Sequence, residues 1–249
     1  MPQSISQPSI RAVTLNVDCD RNTETVERYL ATHRPEVVCL QEVMKVDVPR
    51  FARAIGGHGH FVPMTRVLSH GEWREVGICI LTSLQQTGSE AVYYVGSPGI
   101  LHNLDRHDPA SRREVEHRIL LVSDIVKERV LFTFATTHFT WVPDGQPDDF
   151  QRNDVRTLIG MLQGLKEVVF CGDMNAVRGG EIFDLLATHL HDNVPATFAT
   201  SIDPERHKVR GLRAMVDGIF STPGMCVEHV DMTFGVSDHG ALSATVSKR

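Results

Sequence analysis

EVVFCGDMNA, residues 167–176, is a continuous apolar run that stops in a polar cluster. Val168 to Cys171 offer no polar face, so they read as a β-strand covered on both sides. Gly172, Asp173 and Asn175 are turn formers, and an ordinary strand-to-turn junction would use them too. A carboxylate at the end of a buried strand is costly, however, unless it is paired or binds a metal.

Outward from this stretch the same design recurs. VTLN ends on Asn16, VVCLQE on Gln41 and Glu42, and FATTH on His138; a late SDHG (237–240) adds Asp238 and His239. Strand ends in layered α/β folds are where sites gather. A pattern repeated on several strands points to one shared site.

The rest of the chain alternates strand and helix patterns. Strands are expected at 10–17, 36–43, 76–83, 119–126, 130–139 and 167–175, with KERV (127–130) as a hairpin turn. MVDGIFST, VEHVDMTF and ALSATVS supply late strands. Val26, Tyr29, Leu30 and His33 give helical spacing after a cap at Asn22 or Thr23, and Pro35 ends that helix. Val155, Leu158, Ile159, Leu162 and Leu165 mark an amphipathic helix over 149–166, and 181–190 is another. This mixture, without repeat or linker, predicts one α/β (α+β) domain over 1–249: two packed mixed sheets flanked by helices, a four-layer α/β/β/α sandwich. Residues 1–9 are expected to be a flexible lead-in.

The chain has 249 residues, is 41% hydrophobic and carries a net charge of -6, so the molecule as a whole is not built to bind polyanions. A local basic patch or a bound metal could still attract one. Five cysteines form no C-x-x-C pair, and Cys39, Cys79 and Cys171 lie in apolar runs, which suits buried reduced thiols and a cytoplasmic setting. No run is long and apolar enough for a membrane span, and the polar N-terminus has no signal-peptide core. A monomer is the default expectation.

The candidate ligands favour a hard cation. Glu42 and Asp238 offer carboxylates and Asn16 and Asn175 neutral amides, which suits Mg²⁺ or Mn²⁺. The thiol and multiple-His spacing of zinc sites is missing. A neighbouring His can serve as acid, base or phosphate ligand.

The ordered series TLN (14–16), LQEV (40–43), TH (137–138), GDMNA (172–176), VDGIF (216–220) and SDHG (237–240) resembles the endonuclease/exonuclease/phosphatase superfamily. Its members include deoxyribonucleases, abasic-site endonucleases, tyrosyl-DNA phosphodiesterases, sphingomyelinases and inositol-polyphosphate 5-phosphatases. Each motif alone is weak; six in order over nearly the whole chain make the signal specific. The resemblance implies a divalent-metal-dependent phosphoric ester hydrolase. It makes Glu42 the principal metal ligand, with Asn16 beside it and Asp238 a further ligand, direct or through water. Asp173 would align the attacking water and Asn175 hold a phosphate oxygen. His239 would act as base or phosphate stabiliser, with its tautomer set by Asp217. His138 would be an acid or phosphate contact. By looser likeness Arg118 would lie near the substrate and Glu75 would orient His138.

The expected substrate is a phosphodiester in a nucleic acid or nucleotide. The alternatives are a phospholipid or sphingolipid headgroup, a phosphomonoester, or a non-catalytic binding module on the same scaffold. Two loops, 97–118 and 201–215, are basic enough to recognise it; the second carries Arg206, Lys208 and Arg210 just before Asp217. A charged loop is more often only a solvated face. A lipid enzyme should show an exposed apolar hairpin, for which FTWVPDG (139–145) is the candidate.

Overall fold

The computed structural model describes residues 7–105, 108–143 and 145–249. The first sheet comprises β1 (Ser9–Asn16), β2 (Val37–Met44), β3 (His58–Ser69), β4 (Glu72–Thr82), β11 (Met225–Thr233) and β12 (Ala241–Lys248). Their order is β11-β12-β1-β2-β4-β3. The second sheet comprises β5 (Gln85–Val95), β6 (Arg118–Lys127), β7 (Val130–His138), β8 (Val168–Asp173), β9 (His191–Asp192) and β10 (Asp217–Ser221), in the order β5-β6-β7-β8-β10-β9. Each sheet has one central parallel pair, β1 with β2 and β7 with β8; the other pairings are antiparallel.

The continuous apolar runs are explained by burial on both faces. In β2, Val37 and Cys39 point into the core between the sheets, while Val38 and Leu40 point outward. The outward residues pack under α1 (Thr23–His33) and α2 (Val48–Ile55). In β8, Val169 and Cys171 face inward, and Val168 and Phe170 meet α4 (Asp149–Gln163) and α5 (Glu181–His189). Helices outside two stacked sheets make the expected α/β/β/α layering. Cys19, Cys39, Cys79 and Cys171 are all buried; burial pushes the Cys79 thiol up, as expected of an inert core cysteine.

Several elements lie outside the sequence reading. β3 and β5 are edge strands with one neighbour each, and β3 carries Pro63 at a register shift. An edge tolerates proline and polar residues, so β3 is interrupted at Pro63 and β5 is polar over 85–90, with only AVYYV (91–95) apolar. The short helices α2 and α3 (Pro109–Val115) were also not expected. The 149–166 helix stops at Gln163, before Gly164. Glu128 and Arg129 both have positive φ, as the tight β6–β7 hairpin requires. Ser9 already belongs to β1, so the expected lead-in is shorter than 1–9; residues 1–6 lie outside the described residues.

Candidate active site

The two parallel pairs place their C-terminal ends side by side. Asn16 ends β1, His138 ends β7 and Asp173 ends β8. Asp217 opens the antiparallel β10 and pairs in register with Asp173, which pairs in turn with His138.

Glu42 reaches this cluster through a β-bulge. Gln41 and Glu42 together oppose one residue of β4, between the Leu40–Cys79 and Val43–Gly77 pairs. Glu42 takes φ 51°, a left-handed backbone that few L-residues adopt. Gln41 is buried between the sheets, donating to Thr14 Oγ1 at 3.2 Å and Thr136 Oγ1 at 2.9 Å. Asn175 is also left-handed, with φ 45°. Its backbone N–H donates to Asp173 Oδ1 at 2.8 Å and its side-chain amide to the Phe139 carbonyl at 2.9 Å. Strained backbone at both acceptor-bearing turns is the kind that surrounding structure holds in place at functional sites.

Asn16 joins the two halves. Its Nδ2 donates to Asp173 Oδ2 at 3.0 Å and lies 3.4 Å from Glu42 Oε1. His138 Nε2 stands 3.6 Å from both Glu42 Oε1 and Asp173 Oδ2, and its buried Nδ1 has no hydrogen-bond partner among the described residues. His239 Nδ1 lies 2.7 Å from Asp217 Oδ2, and Nε2 lies 3.9 Å from Asp173 Oδ2. Burial alone would lower the His239 pKa, but Asp217, Asp173 and Asp238 together hold it well above the ordinary 6.5. Burial would likewise raise Glu42, but His138, Arg112, His239 and the Asn16 amide pull its carboxyl down to about 2.

Asp173, Asp217 and His239 bring one ligand atom each within 4.8 Å of one another, close enough to hold a divalent metal. Beside them Glu42, Asp238 and Asp18 form an acidic group. Burial and the neighbouring Asp238 and Glu42 push Asp18 up to about 6, despite its ion pair with Arg21. Burial and Glu42 also raise Asp238. Burial and mutual repulsion raise Asp18 and Asp238 beside the charged Glu42, and such a set of oxygen donors fits a hard cation.

The sequence reading missed three residues here. Asp18 belongs to the acidic group. Asp203 is buried and accepts from the backbone N–H groups of Glu205, Arg206 and Gly235, fastening the 201–215 loop beside Asp238. Arg112 acts on Glu42 and Asp173 from α3. Asp18 follows the 10–17 strand and strand-end patterning could have found it; no apolar strand precedes Asp203 or Arg112, so it cannot find those two.

Several other expected residues already hold partners within the protein, while the cations of the 201–215 loop lie at the surface. Arg118 is 3% exposed, ion-paired to Glu116 at 2.6 Å and donating to the His138 carbonyl at 3.2 Å. It holds the end of β7 rather than reaching for substrate. Glu75 pairs with Lys45, not with His138. Arg206 donates to Asn22 Oδ1 at 3.2 Å, and Arg210 donates to backbone carbonyls of its own loop; Lys208 is exposed. In the 139–145 segment Phe139 and Val142 are buried and Trp141 is covered by Arg112, so its described residues form no exposed apolar hairpin.

The model of the Endonuclease/Exonuclease/phosphatase family matches residues 13–239, from within β1 to the site histidine. The chain belongs to the Endonuclease/Exonuclease/phosphatase family. Solved structures of similar fold include an endonuclease/exonuclease/phosphatase from Bacteroides vulgatus, with TM-score 0.72 and 17% identity over 98% of this chain and 100% of that one. The human Nocturnin catalytic domain with a bound sulfate anion aligns at TM-score 0.71 and 17% identity, over 97% and 94%. D. rerio TDP2 complexed with single-strand DNA product aligns at TM-score 0.67 and 16% identity, over 96% and 99%. No curated protein matches the chain in sequence. Family membership and the buried Asp173–Asp217–His239 cluster identify a metal-dependent phosphoric ester hydrolase.

Proposed function

We propose that this endonuclease/exonuclease/phosphatase-family protein, acting as one domain over 1–249, hydrolyses a phosphodiester of a nucleic acid or nucleotide by in-line attack of water. The observation that carries this reading is the Asn16–Asp173 contact, 3.0 Å across the two sheets, with Glu42, His138 and His239 all within 4 Å of one or the other. The single-strand DNA product held by D. rerio TDP2 favours a nucleic-acid substrate. The described residues of the 139–145 segment, the candidate lipid-facing hairpin, do not form an exposed apolar surface. Reduced core thiols suit a cytoplasmic setting.

Asp173 has both oxygens fixed, one by Asn16 and one by the Asn175 backbone, so its carboxylate is aimed before substrate arrives and can orient the attacking water. His239, kept protonated by Asp217, has Nε2–H left to donate to a non-bridging phosphate oxygen. Asn175 gives one amide hydrogen to Phe139 and keeps the other for a second oxygen. His138 is close enough to Glu42 and Asp173 to move a proton or contact phosphate. Glu42, with Asp238 and Asn16 beside it, would hold Mg²⁺ or Mn²⁺ in preference to the Asp173–Asp217–His239 cluster, whose imidazole is kept charged by Asp217; the ion would supply charge neutralisation at the phosphate and leaving oxygen.

The test is turnover of bis(4-nitrophenyl) phosphate, 4-nitrophenyl phosphate, a single-strand oligonucleotide and sphingomyelin vesicles. Chelation should abolish turnover and Mg²⁺ or Mn²⁺ restore it, with the diester and the oligonucleotide preferred. Full activity without metal, or turnover of the monoester or the vesicles alone, overturns the reading.

A further inference from the structure

Through Arg112, α3 lies within electrostatic reach of Glu42 and Asp173. Arg113 ties it down: it pairs with Asp148, the residue that caps α4, and lies 4.9 Å from the centre of the Phe150 ring. This leaves Arg112 turned the other way. Its guanidinium carbon stands 5.4 Å from the centre of the Trp141 ring, three residues beyond His138.

Among the described residues no carboxylate reaches ion-pair distance of Arg112. Glu116, which acts on it electrostatically, is already bonded to Arg118. Glu42 and Asp173 act on it from across the site. Arg112 is half-buried, and its desolvation is outweighed by the pull of Glu116, Glu42 and Asp173, so it stays charged without a fixed ion-pair partner. Stacking on an indole fixes the plane of the fork. A fixed, partly desolvated fork facing a phosphate-hydrolysing site matches two oxygens of a phosphate group.

We propose that Arg112, braced by Trp141, is the arm that grips the non-bridging oxygens of the scissile phosphate. This rests on the reading of the site as a phosphodiesterase. The arm would meet the phosphate together with the Asp217–His239 pair, so the two cations share the charge that develops on phosphorus oxygens. A purely structural Arg112 would only anchor α3 on Trp141.

The chain has two tryptophans, so Trp73→Phe leaves Trp141 as the sole indole reporter. In that background, inorganic phosphate with Mg²⁺ should bind saturably by calorimetry and shift Trp141 emission. Arg112→Ala and Arg112→Met should weaken phosphate binding at least about tenfold and abolish the emission shift. Their kcat/KM on bis(4-nitrophenyl) phosphate should fall by about 10²-fold, the scale of one lost charge-stabilising donor. Arg112→Lys keeps the charge without the fork and should recover only part of the rate; it also carries the test if the larger changes impair folding. A parent-like phosphate affinity and rate in Arg112→Lys and either truncation overturns the proposal, as does phosphate binding that leaves Trp141 emission unmoved. Phosphate binding lost on Arg112→Ala, in a parent that hydrolyses no diester, would overturn the functional reading and leave the arm standing.

Discussion

Asn16 in one sheet and Asp173 in the other are joined by a 3.0 Å hydrogen bond between residues 157 apart in the chain. The same amide leans on Glu42, so one neutral side chain holds two carboxylates from different sheets in register. Asn16→Ala removes both contacts and places nothing between like charges. Metal affinity measured by calorimetry, and kcat/KM with it, should drop about 10–100-fold, the range for lost outer-shell support. Unchanged metal affinity would mean the amide only caps its turn.

Asp217 is expected to act through His239. Asp217→Asn removes the carboxylate 2.7 Å from Nδ1, so the pKa of His239 falls toward its ordinary value. A raised His pKa means the charged pair stabilises the fold fully below about 6.5 and loses that contribution as pH rises through the folded pKa. The variant should therefore shift the alkaline limb of the rate profile to lower pH and reduce kcat more than it raises KM. Combined with His239→Ala it should add little further loss; two losses that simply multiply would break the dyad.

Gly172 should not tolerate alanine. Its φ is 146°, and a Cβ there would lie 2.2 Å from the Thr137 carbonyl oxygen on the paired strand. That oxygen is backbone, so β7 and β8 must separate next to His138 and Asp173. Gly172→Ala should destabilise by roughly 1–3 kcal/mol, as overpacked sites do, lowering Tm, and should depress kcat alongside. A parent-like Tm and kcat would show that the strands adjust freely.

The basic loop divides by what its side chains already hold. All three are exposed, but Arg206 and Arg210 also brace Asn22 and the loop backbone, whereas Lys208 makes no such contact among the described residues. Lys208→Ala should raise KM for a single-strand oligonucleotide and reduce its salt slope by about 0.7, one phosphate contact. Activity on bis(4-nitrophenyl) phosphate should be unaffected. Arg206→Ala should instead lower Tm with a smaller change in salt slope. An unchanged oligonucleotide slope in both variants would make the loop a solvated face.

The strands that build the site were legible because each is central. β1, β2, β7 and β8 have neighbours on both sides and cover on both faces, so each must be apolar until it ends, and the polar residue at the end stands out. β3 and β5, at the sheet edges, face no such demand and carry no such mark. Arg118 and Glu75 show the converse. Their types and places suited a site, but each had a closer partner: Glu116, two residues before Arg118, and Lys45, thirty residues before Glu75 and beyond the reach of any local pattern.

By itself the sequence determined the layered α/β class and the identity of the strand-end residues, because burial on two faces dictates composition locally, residue by residue. The tertiary structure alone decided how those ends meet. The bulge that turns Glu42 into the site, the Asn16 bridge to Asp173, the loop held by Asp203 and the arm of Arg112 over Trp141 each join segments remote in the chain. Such contacts depend on which strand lies beside which and on backbone turned left-handed at single residues, and neither leaves a periodic trace in the order of amino acids.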